Sequence, residues 1–248
     1  MVTVTVESGV ARVAFAREPI NAVNLTANRQ LAQAFEDLSE RDDVKVVIFA
    51  SEGKGFVSGS DVGDFDVFDD DTLAEYENAN IRTIEAIYHC RVPVIGALHG
   101  YVLGLGTCLA AACDLLVAAD DTFFGNPEVR LGSVGGTAAL LMLAPEKLVR
   151  YMALTGKYVG VEKIAPYGQI HKVVPREELD AEVDALAALL TRNWTMSVRA
   201  VKSAINELQH RDMAQEFLVD CRGTHQLLKL PERDAVLQDF YAAHSGKK

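Results

Sequence analysis

Residues 92–120 read VPVIGALHGYVLGLGTCLAAACDLLVAAD, and this stretch decides the fold. Its first part, residues 92–100, is a short apolar run rich in β-branched residues, the composition of a strand buried on both faces. "DLLVAAD" at 114–120 has the same character. Between them, Gly104-Leu105-Gly106 opens a run of small apolar residues that reads as a helix. Strand, glycine loop, helix and strand in that order make a βαβ unit, which implies a mostly parallel sheet.

The same alternation extends outward. Residues 2–6 and 11–15 alternate apolar and polar around Ser8-Gly9, which predicts a hairpin. Leu25 to Arg41 places Leu31, Phe35 and Leu38 at helical spacing, with Thr26 as N-cap. "KVVIFAS" at 45–51 is another buried strand, and "TFFGNPE" at 122–128 a short further one. "DFDVFDDDT" at 64–72 reads as a solvated acidic loop leading into a helix over 73–88. After "HKVVP" at 171–175 the strands stop, and 177–244 reads as three or four helices, with Pro231 between the last two. The expectation is an α/β core over residues 1–175 and a C-terminal helical region over 176–248.

Composition narrows the partners. A formal net charge of −11 repels nucleic acid and anionic membrane, so neither is an expected partner. Cys90, Cys108, Cys113 and Cys221 form no CxxC pair and no zinc spacing, so reduced thiols and no metal are expected. The strand-like start MVTVTVESG lacks the basic and apolar blocks of a signal peptide, and no apolar run reaches the ~20 residues of a membrane span. A cytoplasmic enzyme is the expectation.

Two glycine-containing loops follow buried strands, at 53–65 and 99–114. In parallel sheets ligands gather at the carboxyl ends of strands, and glycine lets backbone N–H groups approach them. Neither loop matches GxGxxG or a P-loop, which disfavours a dinucleotide site. No G-x-S-x-G elbow is present, and the six histidines form no metal or triad pattern. By pattern alone, Glu128 is a surface acid.

Taken together, these stretches resemble the crotonase family of enoyl-CoA hydratases and isomerases. "NAVN" at 21–24 is similar to its Asn-Ala-Leu/Met-Asn motif, and "GFVSGSDV" at 55–62 to its Phe-x-x-Gly-x-Asp loop. Residues 92–114 are similar to its Gly-Gly-Gly segment, and "FGNPEVRLG" at 124–132 to its Pro-Glu segment. The resemblance implies a ββα spiral core and a homotrimer or dimer of trimers built through the C-terminal helices. It implies an acyl-CoA substrate and no cofactor beyond that coenzyme A. The thioester oxygen would lie between the amides of Ser60 and Leu105. Ile20, Ser58, Asp61 and Val62 would meet the adenine, with Arg17 or Lys54 toward the phosphates.

One departure shapes the expected chemistry. Hydratases of this family use two glutamates; here Glu128 occupies the second position and Cys108 the first. Adding water to a double bond needs an acid–base pair, and a thiol is a poor substitute for a carboxylate. The resemblance therefore implies a single-acid reaction such as Δ3,Δ2-enoyl-CoA isomerisation, with Glu128 as the acid–base. A dienoyl-CoA isomerase is disfavoured, because Gly136 stands where that subtype carries a further acid. Cys108 reads first as a buried apolar filler, and second as a thiolate base or nucleophile activated at the helix start. The rivals are a hydratase or acyl-CoA hydrolase with the missing acid supplied elsewhere, for instance from the 64–72 loop, and a non-catalytic CoA-binding homologue.

Overall fold

Ser8 and Gly9 both adopt positive φ (49° and 84°), the geometry that joins two antiparallel strands by a two-residue turn. They link β1 (Val2–Glu7) to β2 (Val10–Phe15), paired from Val2↔Phe15 to Glu7↔Val10. The computed structural model describes residues 1–61 and 70–244. After the hairpin come α1 (Leu25–Glu40), β3 (Val46–Ser51), α2 (Asp70–Tyr88), β4 (Val94–Leu98), β5 (Tyr101–Leu103) and α3 (Leu105–Ala111). β6 (Leu115–Ala119), β7 (Phe123–Gly125), a 3-10 turn (Pro127–Leu131), α4 (Thr137–Leu143), α5 (Glu146–Thr155) and β8 (Val159–Gly160) follow. The chain ends with β9 (Lys172–Val174), α6 (Leu179–Thr191), α7 (Thr195–Gln209), α8 (Met213–Leu228) and α9 (Glu232–His244).

These strands form two sheets. The first has the order β1-β2-β3-β4-β6-β9, parallel except for β1; the second has the order β5-β7-β8. The run at 92–103, expected as one strand and a loop, thus contributes to both: β4 stays in the first sheet and β5 turns into the second. β6 and β7 repeat the step, with β5 and β7 parallel. This winding between two sheets, with helices outside, is the ββα spiral. It brings the glycine loop after β3, the start of α3 and the turn after β7 to one end of the core.

The packing follows from the strand patterns. β3 is buried on both faces: Val47 and Phe49 face a core shared with α1, while Val46 and Ile48 face α6. Leu31, Phe35 and Leu38 bury the helical stripe expected of α1, and the Phe35 ring meets Phe49 edge-on at 5.3 Å. Leu179, Val183 and Leu186 of α6 cover the other face of the sheet. Two expectations are corrected. The N-cap of α1 is Asn24, whose side chain accepts from the Ala27 N–H at 2.9 Å, and Thr26 lies inside the helix. α2 begins at Asp70, before the expected start at 73, while the rest of the acidic stretch and Val62 lie outside the described residues. No helix among the described residues is long and apolar enough to cross a membrane.

Candidate active site

The NAVN stretch holds the first glycine loop in place. Asn21 donates its amide to the carbonyls of Glu52 (2.7 Å) and Gly55 (2.9 Å), and its Oδ1 accepts the Arg17 N–H. Val23 then pairs with Ser60 as a short parallel bridge: the Val23 N–H donates to Gly59 O (2.9 Å) and the Asp61 N–H to Val23 O (3.0 Å). In a parallel pair the residue between those two bonds turns its own N–H the other way. Ser60 is that residue, and among the described residues its N–H meets no acceptor.

Leu105 supplies the matching donor. It is the first residue of α3, where an N–H has no partner inside the helix. Its preceding residue, Gly104, has φ +53°, a conformation that a side chain disfavours. Gly106 is required by close approach: a Cβ there would stand 2.4 Å from Val57 O. Leu105 itself has no positive φ, so the leucine where the family carries a glycine is unstrained. The two loops touch, since a Cβ on Gly59 would lie 3.8 Å from Leu105 N, and Ser58, Ser60 and Leu105 line one cavity.

Glu128 enters the same cavity from the turn after β7. Its carboxyl lies between Gly104 and Gly135: added Cβ atoms there would stand 2.5 Å from Oε1 and 2.9 Å from Cγ. Its Oε2 is buried and has no hydrogen-bond partner among the described residues. Burial pushes its pKa up to about 8; a backbone hydrogen bond opposes the rise, and the nearby Asp220 adds to it. Glu128 is thus no solvated surface acid. It is a carboxyl held mostly protonated at neutral pH, with a free oxygen facing a cavity.

Cys108 lines the cavity beside it, 4% exposed. Burial raises its pKa well above the ordinary thiol range, and Glu128 and Asp220 raise it further. The helix start does not activate it: Cys108 is a protonated thiol with the character of an apolar filler. The residues expected toward coenzyme A are less uniform. Ser58 lines the cavity and Ile20 is exposed, but Arg17 donates to Asp61 (2.6 Å) and to the carbonyl of Ala22 (3.0 Å). Its charge is therefore balanced within the protein.

Asp220 of α8 belongs to none of the motifs in the sequence, yet it reaches the cavity. It is 3% exposed, lines the cavity, and accepts from the Thr137 N–H (2.9 Å) and the Thr137 hydroxyl. The available signal was a single acid in the apolar run "FLVDC" at 217–221, an unusual residue on a buried helix face. Glu77 of α2 also lines the cavity and pairs with His225 of α8 at 2.8 Å.

Two loop residues with backbone amides at one cavity, a buried glutamate beside them and a fold that winds between two sheets are the features of an acyl-CoA enzyme of the crotonase type. The enoyl-CoA hydratase/isomerase family matches residues 5–240, and the chain belongs to it. Among its relatives, the "(7aS)-7a-methyl-1,5-dioxo-2,3,5,6,7,7a-hexahydro-1H-indene-carboxyl-CoA hydrolase" of Rhodococcus jostii (strain RHA1) is 31% identical over 220 residues, 88% of this chain and 85% of that protein. The crotonyl-CoA hydratase of Syntrophomonas wolfei is 28% identical over 205 residues, 81% of this chain and 79% of that protein. An enoyl-CoA hydratase/isomerase from Xanthobacter autotrophicus Py2 superposes with a TM-score of 0.85 at 26% identity, covering 99% of this chain and 93% of that one.

Proposed function

We propose that this enzyme moves a proton along an unsaturated acyl-CoA, as in Δ3,Δ2-enoyl-CoA isomerisation, with Glu128 as its single acid–base. The observation that carries the reading is the buried Glu128 carboxyl, with Oε2 unpartnered, beside a Cys108 whose burial-raised pKa makes it a poor second acid. In its ionised form Glu128 removes a proton from C2 of a 3-enoyl-CoA. The electron pair passes to the thioester oxygen, which accepts hydrogen bonds from the Ser60 and Leu105 amides. The dienolate then collapses toward C4, where the Glu128 carboxyl returns the proton. Each amide donor contributes about 3 kcal/mol of transition-state stabilisation.

Hydrolysis is the second reading, favoured by the name of the Rhodococcus relative and by Asp220 as another carboxyl in the cavity. Incubation with 3-hexenoyl-CoA and with crotonyl-CoA tests the choice. Isomerisation without hydration supports the leading reading, and rapid hydration overturns it. Glu128→Gln should lower isomerisation about 100- to 10,000-fold. Unchanged turnover would instead support a non-catalytic homologue.

Ile20, Ser58, Asp61 and Val62 serve the adenine, and the four free cysteines suit the cytoplasm. The C-terminal helical region carries exposed apolar residues, with Trp194 just before α7 at 73% and Leu208 within it at 77%, which supports assembly into a trimer or dimer of trimers. Light scattering that returned a monomer would remove that part.

A further inference from the structure

Arg233 of α9 lines the active-site cavity, and among the described residues its side chain meets no acceptor. Its stem packs on the turn that carries Glu128: a Cβ on Gly132 would stand 3.0 Å from Arg233 Cγ, and the Gly132 N–H donates to Glu128 O. Leu131, Leu228, Leu237 and Tyr241 line the same cavity. Arg233 Nε is buried without a hydrogen-bond partner, and no carboxylate among the described residues pairs with the guanidinium. Among the described acids that share the cavity, two are already engaged and the third points elsewhere. Glu77 holds His225, Asp220 holds Thr137, and Glu128 lies in its own cleft between Gly104 and Gly135.

A guanidinium is a permanent cation with five donors and no acceptor. Of those donors Nε is the one buried without a partner, which costs free energy that an acceptor oxygen on a bound ligand would offset. We propose that the cavity selects acyl-CoA thioesters whose acyl group carries an acceptor oxygen, a ketone or a carboxylate, remote from the thioester, and that Arg233 reads it. The proposal rests on the acyl-CoA reading of the cavity and adds the chemistry of the acyl group. It separates plain alkyl chains, which offer Arg233 nothing, from oxygenated ones of the same length.

Binding of unreactive, length-matched ligands tests this without relying on turnover. Hexanoyl-CoA, 5-oxohexanoyl-CoA and adipoyl-CoA are titrated into the wild-type protein, Arg233→Met and Arg233→Lys by calorimetry. One charge-assisted hydrogen bond predicts that at least one oxygenated ligand binds about 10- to 100-fold tighter than hexanoyl-CoA. The ligand that gains identifies ketone or carboxylate as the source. Arg233→Met should erase the gain and leave hexanoyl-CoA unchanged, while Arg233→Lys keeps part of it. Equal wild-type affinities overturn the inference, and so does an equal loss for all three ligands in Arg233→Met. Failure of all three to bind overturns it together with the acyl-CoA reading. The wild-type comparison decides even if a variant does not fold.

Discussion

The α-carbon of Gly104 lies directly against the carboxyl of Glu128: a methyl group on Gly104 would stand 2.5 Å from Glu128 Oε1. The residue that bends the chain to aim the Leu105 amide therefore also forms the wall against which the acid–base rests. Gly104→Ala should injure both functions, by strain at φ +53° and by displacing the carboxyl. A displacement near 1 Å costs about 100-fold in rate, so kcat/KM should fall at least that far, with only a modest drop in Tm. Steady-state kinetics beside a melting curve checks this. Wild-type turnover in Gly104→Ala would refute the arrangement.

Glu128 makes a separate prediction through pH. Its folded pKa of about 8 exceeds its ordinary value of 4.5, so between those values the folded chain holds a proton that the unfolded chain has released. Its contribution to stability is fully present below about pH 4.5 and is lost as pH rises through about 8. Glu128→Gln removes this dependence while leaving other titrating groups in place. Urea unfolding at pH 5 and pH 8.5 should show wild type losing more stability than Glu128→Gln across that interval. Because the ionised form is the base, kcat/KM should also rise with pH and level off above about 8.

Much of the core was legible because its signals are local. The β-branched run of β3, the stripe of Leu31, Phe35 and Leu38, and the Ser8-Gly9 turn each carry their pattern within a few residues. The division into two sheets was not legible. β5 is three residues long, and its apolar letters continue those of β4, so only tertiary pairing with β7 separates them. At the site, Glu128 and the two amides followed from motif resemblance, whereas pattern alone left Glu128 on the surface. Asp220 and Arg233 were missed because they arrive from α8 and α9, some 90 or more residues beyond Glu128 in the chain.

Cys108 yields the third prediction. Its buried, protonated thiol predicts that Cys108→Ala keeps turnover within about threefold and costs about 1 kcal/mol of stability for the lost sulfur contacts. Iodoacetamide should leave wild-type activity intact at neutral pH, because the reactive thiolate is not populated. A collapse of turnover in Cys108→Ala with the melting curve unchanged would reinstate Cys108 as a chemical participant.

Asp220 connects the helical region to the acid–base. It accepts from both the N–H and the hydroxyl of Thr137, tying α8 to the first turn of α4, and its charge raises the Glu128 pKa. Asp220→Ala strands two part-buried donors of Thr137 and should cost about 1 kcal/mol. Asp220→Asn keeps one acceptor oxygen but removes the negative charge. With less repulsion the ionised form of Glu128 is favoured, so its pKa falls and the rise of kcat/KM moves to lower pH. A tether alone would lower stability and leave that midpoint where it was. The pH profile of Asp220→Asn therefore separates the two roles: a midpoint that stays fixed or moves upward removes Asp220 from the electrostatics of the site.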